Sequence, residues 1–125
     1  VTSERLTVHA DARGSVFEPL APGEFAAQRN AHVVVTEPGA VRGNHYHRRG
    51  TEVLAVMGPA RVRTRRDGEV ADTEVPPGEV VRFTIPPGVS HAVRNTGTTP
   101  IVIVSFNTEP HDPERPDVVR DVLLG

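Results

Sequence analysis

The chain has 125 residues, a formal net charge of −2, and neither cysteine nor lysine. That length fits one domain able to bury a core without staples. The composition excludes disulfides, thiolate metal sites, cysteine nucleophiles, lysine Schiff bases and a P-loop. The charge balance gives no basis for contact with nucleic acid or a membrane surface. With no apolar run of about 18 residues and no leader-like opening, the chain reads as soluble and cytoplasmic.

Taken in order, residues 1–8 read as a first strand or arm, 11–15 as a turn, and the Pro-rich stretch 19–24 as a loop. A strongly β-branched strand over 32–36 is stopped by Glu37-Pro38-Gly39. A strand carrying His45 and His47 follows, then an apolar strand over 52–57 opened by Glu52. Gly58-Pro59 turns the chain into an alternating strand over 60–65, and Asp67-Gly68 is a hairpin signal leading to a strand over 70–75. Strands over 80–85, 91–94 and 101–106 come next, separated by Pro-Pro-Gly and Asn-Thr-Gly turns. The tail over 117–124 is open between a short helix capped by Asp117 and an edge strand. No helical stripe of three turns precedes it. Short strands with regularly spaced turn signals predict an antiparallel sandwich or barrel, all-β and single-domain over 1–125, with its core over about 30–107.

His45 and His47 share a strand face because side chains alternate with period two. A four-residue connection later comes Glu52, and a separate Pro-Pro-Gly-bounded segment brings His91. Three imidazoles and a carboxylate suit zinc, iron, manganese or nickel. The bland alternative is a set of barrel-lining polar groups that satisfy one another. A metal supplies the stronger reason for such a set, because each unpaired buried polar group costs about 1–3 kcal/mol.

Gly39-x5-His45-x-His47-x4-Glu52 resembles the first cupin motif, and Pro86-x-Gly88-x2-His91-x3-Asn95 resembles the second. This implies a double-stranded β-helix, the cupin jelly roll, with His45, His47, Glu52 and His91 as ligands of a divalent metal. Asp11-x-Arg13-Gly14-x2-Phe17-Glu18 and Val41-Arg42-Gly43-Asn44-His45-Tyr46 resemble segments of deoxysugar 3,5-epimerases and 3,4-ketoisomerases, where the second segment's histidine is the proton-abstracting base. The fuller resemblance, from Asp11 to Asp117, is to the cupin domain of bifunctional capsular polysaccharide enzymes. It is carried by Gly43-Asn44-His45-x-His47, Val93-x-Asn95-x-Gly97 and Asp112-Pro113-x2-Pro116-Asp117. That family implies zinc and epimerisation at C3 of a UDP-4-keto-deoxysugar.

The expected function is therefore a metal-dependent epimerase or isomerase acting on a nucleotide-linked 4-keto-deoxysugar by proton abstraction next to the ketone. An iron-dependent dioxygenase and a non-catalytic metal- or small-molecule-binding cupin are the alternatives. His45 is either a ligand or, without metal, the base with His47 as its helper. If all three histidines are ligands, the base lies elsewhere; His32 and His9 are free imidazoles that read as surface groups. Arg13 and Arg42 are candidates for a diphosphate, since guanidinium binds phosphate with a planar fork. Arg61, Arg63 and Arg65 read as an outer strand face, with Arg82 a further candidate. Tyr46 is a candidate to stack a nucleobase, although alternation points it away from its histidine neighbours. A homodimer is expected.

Overall fold

The computed structural model describes residues 1–125. Twelve strands form: β1 (Thr2–Arg5), β2 (His9–Asp11), β3 (Gly14–Val16), β4 (Asn30–Thr36), β5 (Val41–His47), β6 (Glu52–Met57), β7 (Ala60–Arg66), β8 (Glu69–Val75), β9 (Val80–Ile85), β10 (Ser90–Asn95), β11 (Ile101–Asn107) and β12 (Val118–Arg120). A 3₁₀ helix, η1 (Pro22–Ala27), is the only helical element. No helix is long and apolar enough to cross a membrane.

The strands make two antiparallel five-stranded sheets, ordered β1-β9-β6-β11-β4 and β12-β5-β10-β7-β8, with β2-β3 a separate hairpin. This is the all-β jelly roll expected from sequence, in a single domain. Alternation explains the layering. In β11, Ile101, Ile103, Ser105 and Asn107 are buried while the residues between them are half-buried. The expected turns form where φ requires them: Asp67 and Gly68 take φ of 50° and 80°, the geometry that joins two twisted strands in two residues. η1 occupies part of the segment read as loop. Its first turn is organised by Glu24, whose carboxylate accepts the Ala21 N–H at 2.9 Å.

The tail resolves as a strand. Val118–Arg120 pairs with β5 in the register Val118↔His47 and Arg120↔His45. It covers the edge that β5 would otherwise leave open. Asn44, at φ 57°, ties down the residues beyond β12: its Oδ1 accepts the N–H groups of Leu123 and Leu124, and its Nδ2 donates to the Leu124 carbonyl. Leu124 is buried as a result.

The apolar core, built from Leu54, Val56, Val62, Phe83, Ile85, Val93 and Ile103 among others, fills the space between the sheets. Each such side chain contributes about 1.5–3 kcal/mol on burial. Phe83, 2% exposed, is the largest of them. Phe83→Ala is expected to lower unfolding free energy by about 3–5 kcal/mol in urea titration; a loss below about 1 kcal/mol contradicts this packing.

Candidate metal centre

Four core strands converge on one point. β5 delivers His45 and His47, β6 opens with Glu52, β10 carries His91, and β11 adds Ser105. The ligand atoms of His45, His47, Glu52 and His91 all lie within 4.8 Å of one another. Glu52 Oε2 is the centre: His91 Nε2 lies 3.0 Å away, His45 Nε2 4.0 Å, and His47 Nε2 is in direct contact. Glu52 Oε1 accepts the Ser105 hydroxyl at 2.9 Å.

The local backbone is shaped for this convergence. His91 pairs with His45 but Ala92 pairs with Gly43, so Asn44 is an extra residue in β5, a bulge. The bulge re-aims the strand so that His45 and His47 face inward. Gly43 sits at φ 86°, and a Cβ there would stand 2.8 Å from the His91 carbonyl oxygen. Only glycine allows β5 and β10 this approach.

The donor set fits a cation. His91 Nδ1 faces the Val89 carbonyl at 3.1 Å. A carbonyl only accepts, so Nδ1 carries the proton. In the neutral ring Nε2 then presents a lone pair to the Glu52 carboxylate, and two acceptors 3.0 Å apart require a shared positive charge. Tetrahedral zinc, with bonds of about 2.0–2.2 Å, places its donors about 3.3–3.6 Å apart, within the spread of these atoms. The cluster is nearly dry: His47, Glu52 and His91 are buried, and His45 is the most open.

The electrostatics separate the histidines. Burial, reinforced by the neighbouring His91 and His47, pushes His45 down to about 4, against only partial compensation from Glu52. His45 is therefore neutral at pH 7, as a ligand must be. Burial also pushes His47 down, but Glu52 and Asp117 outweigh it and hold its pKa above the ordinary imidazole value. Burial raises Glu52, yet the bonds from His47 and His91 hold its carboxyl well below the usual carboxylate range.

Asp117 is the residue that sequence reasoning did not place here. His47 Nδ1 lies 3.5 Å from Asp117 Oδ2 and 3.3 Å from Asn107 Nδ2. Asp117 is itself fixed by the backbone N–H groups of Arg49 (2.8 Å) and Gly50 (3.0 Å). Burial opposes its ionisation, but these two amides, with the charges of Arg49 and His47, hold its carboxyl below the usual range. A Cβ on Gly50 would come within 2.2 Å of Asn107 Oδ1 and 2.9 Å of Asp117 Oδ2, so a side chain there would push both groups away from their places behind His47. The clue was the Pro116-Asp117 segment of the tail, but nothing in the spacing ties it to His47.

Beside the cluster lies a cavity of about 200 Å³ lined by His32, Arg42, His45, Glu52 and His91 with apolar Val34, Leu54, Val93 and Ile103. Of the expected substrate-binding residues, only Arg42 reaches it, steadied by a 3.1 Å bond from its guanidinium to the Val35 carbonyl. Arg13 stands on the exposed β2-β3 hairpin in an ion pair with Asp11 at 2.6 Å, away from this cavity. Tyr46 falls between the inward-facing histidines, pairs with Val119, and does not line the cavity. Arg61, Arg63 and Arg65 lie on the outer face, paired with Glu74, Asp72 and Asp121; Arg82 pairs with Glu4. Asn107 also closes its strand, accepting the Glu109 N–H at 2.8 Å.

A jelly roll with three histidines and a glutamate converging between its sheets defines a cupin-like protein. The chain belongs to the polysaccharide biosynthesis C-terminal domain family, whose family model matches residues 9–119. It is 32% identical over 117 residues to UDP-2-acetamido-2,6-beta-L-arabino-hexul-4-ose reductase of Pseudomonas aeruginosa, covering 90% of this chain and 30% of that protein. It is 26% identical to the spore coat polysaccharide biosynthesis protein SpsL of Bacillus subtilis, covering 96% of this chain and 86% of SpsL. Among solved structures, the capsular polysaccharide assembling protein CapF of Staphylococcus aureus superposes with a TM-score of 0.69 at 28% identity, over 94% of this chain and 33% of CapF. The sugar 3,4-ketoisomerase QdtA of Thermoanaerobacterium thermosaccharolyticum shares the fold, with a TM-score of 0.69 at 18% identity over 96% of this chain and 87% of QdtA.

The contact behind His47 and the burial of His45 can each be tested. Asp117→Asn keeps the shape but removes the charge behind His47, and is expected to weaken zinc affinity about 10–100-fold in competition titration; unchanged affinity contradicts the assigned contact. For chelated protein, the unfolded chain takes up the His45 proton near the ordinary value of 6.5 while the folded chain resists until about 4. Stability present above pH 6.5 is therefore lost as pH falls through that window. The His47 shift acts in the opposite sense and fades only as pH rises. His45→Gln should flatten the acid-side slope in chemical denaturation between pH 6.5 and 4; an unchanged slope contradicts the assignment.

Proposed function

We propose that the protein is a metal-dependent epimerase or isomerase of a nucleotide-linked 4-keto-deoxysugar in polysaccharide biosynthesis. The observation that carries this reading is the buried His45–His47–Glu52–His91 cluster at the wall of a cavity that also holds the Arg42 guanidinium. Membership of a polysaccharide biosynthesis family supports the pathway. The relative named for a UDP-linked hexul-4-ose supports a 4-keto sugar nucleotide as the substrate class.

His45, His47, Glu52 and His91 would hold the ion, with zinc the first expectation from three nitrogens and one oxygen. When bound, a divalent ion supplies Lewis acidity that stabilises charge developing on a keto oxygen. The chain's own residues do the rest. Arg42 offers a permanent positive charge and a planar fork to a diphosphate at the cavity. Val34, Leu54, Val93 and Ile103 give the sugar ring an apolar wall and exclude water from the reacting carbon. Asp117 and the Val89 carbonyl orient His47 and His91 from behind. The apolar outer side of the edge strand, where Val33 and Val35 stand exposed, supports the expected homodimer.

In D₂O, zinc-loaded protein should exchange the C3 proton of a UDP-linked 4-keto-6-deoxysugar, followed by NMR. Stripping the metal should slow exchange by about 10²-fold or more, as loss of several kcal/mol of charge stabilisation implies. A fully stripped protein that keeps its rate overturns the metal-assisted reading. Oxygen consumption that depends on added Fe(II), without exchange, would replace it with dioxygenase chemistry.

A further inference from the structure

Abstraction of a proton next to a ketone needs a base within about 3 Å of the carbon, and the metal cluster leaves none of its own imidazoles free. The titratable side chains lining the cavity are His32, Arg42, His45, Glu52 and His91. Three of these direct their donor atoms at the common centre. The guanidinium of Arg42 has donors only and no acceptor for a proton. His32 is the group that remains.

Its position is set by β4. Thr36 is buried and Val34 packs against the core, so alternation puts His32 on the same inward face, while Val33 and Val35 stand exposed on the other. Across the sheet His32 pairs with Ser105, the residue whose hydroxyl donates to Glu52. Directly opposed residues have Cβ atoms about 4.5–5.5 Å apart, so His32 stands one strand beyond the residue that bonds the centre of the cluster. Because β4 is the outermost strand of its sheet, the ring is also exposed. It lines the cavity and at the same time is open to solvent.

We propose that His32 is the general base that takes the C3 proton. The assignment rests on the epimerase/isomerase reading above. A neutral ring nitrogen of His32 accepts the proton as the C3–H bond breaks. The bonding pair forms the C3–C4 double bond, and the carbonyl π pair moves onto O4, giving an enolate and an imidazolium with no net change in charge. This half-reaction is common to epimerisation at C3 and to ketoisomerisation. His45, His47, Glu52 and His91 would hold the ion that stabilises charge at the oxygen end, while His32 works at the carbon end, so the roles of ligand and base need not compete for His45.

The test uses the zinc-loaded full chain, His32→Gln and His32→Ala, and a UDP-linked 4-keto-6-deoxysugar as probe. Three quantities are read: C3 hydrogen–deuterium exchange, probe affinity by calorimetry, and zinc per chain. Both variants are expected to bind zinc and probe as the wild type does, while exchange falls about 10²–10⁴-fold. Added imidazole should restore part of the rate to His32→Ala and none to His32→Gln, a response that a merely structural role would not produce. Wild-type exchange with equally active His32 variants overturns the inference and leaves the functional reading standing. A wild type that binds zinc but exchanges nothing overturns both. Loss of zinc in either variant also overturns it, since His32 would then belong to the metal shell.

Discussion

Glu52 is a carboxylate held 5% exposed between two sheets, and much of the structure is arranged to keep it charged. An isolated buried carboxylate would cost several kcal/mol, or take up a proton. Here three imidazoles face one oxygen and a serine hydroxyl serves the other. Removing His47, His91 or Ser105 takes away one of the bonds that compensate this charge, which ties β5, β6, β10 and β11 to a single geometry. The same concentration of acceptors makes the point attractive to a divalent ion, because the neutral His91 ring, committed through Nδ1 to the Val89 carbonyl, has its Nε2 lone pair facing inward.

Behind the clustered histidines a further layer fixes their orientation. Asp117 lies on the far side of His47, where the Arg49 and Gly50 amides keep it ionised. The tail that carries Asp117 then pairs with β5 through Val118–Arg120 and is locked by the amide of Asn44. Asn44 is also the bulge residue that turns His45 and His47 inward. One local irregularity thus aims the two histidines and anchors the segment that supports them. Two interactions that look separate along the chain are mechanically one.

The strand pattern was legible because each apolar run is short, alternating and punctuated. Glu52–Met57 and Val80–Ile85 fall where the sequence puts them, and Asp67-Gly68 turns as its φ preferences demand. The convergence of His45, His47, Glu52 and His91 was legible in part: period-two spacing places His45 and His47 on one face, while Glu52 and His91 came with the resemblance to the cupin motifs. His32 was not. A lone histidine on a β-branched strand carries no sign of which sheet it joins, and only the pairing with Ser105 brings it to the cavity. Asp117 was hidden for a similar reason: most of the sheet residues lie between it and His47 along the chain, and local spacing is silent about contacts that only the tail's path creates. Arg13 marks the opposite case, a residue in a family-like segment that the fold holds on an outlying hairpin in a pair with Asp11.

The molecule is a cupin-like domain of polysaccharide biosynthesis that shares its fold with a sugar 3,4-ketoisomerase. It spans 30% of the Pseudomonas aeruginosa reductase and 86% of SpsL, so the same unit occurs within a longer chain and as most of a short one. Its chemistry, on this account, depends on an ion held at Glu52. X-ray absorption at the zinc edge, on protein loaded with one equivalent of metal, tests that claim most directly. The account predicts a first shell of light N and O donors at about 2.0–2.2 Å, with the outer-shell scattering of three imidazoles. A shell of water oxygens without imidazole scattering, or zinc that passes through a desalting column unbound, would contradict it.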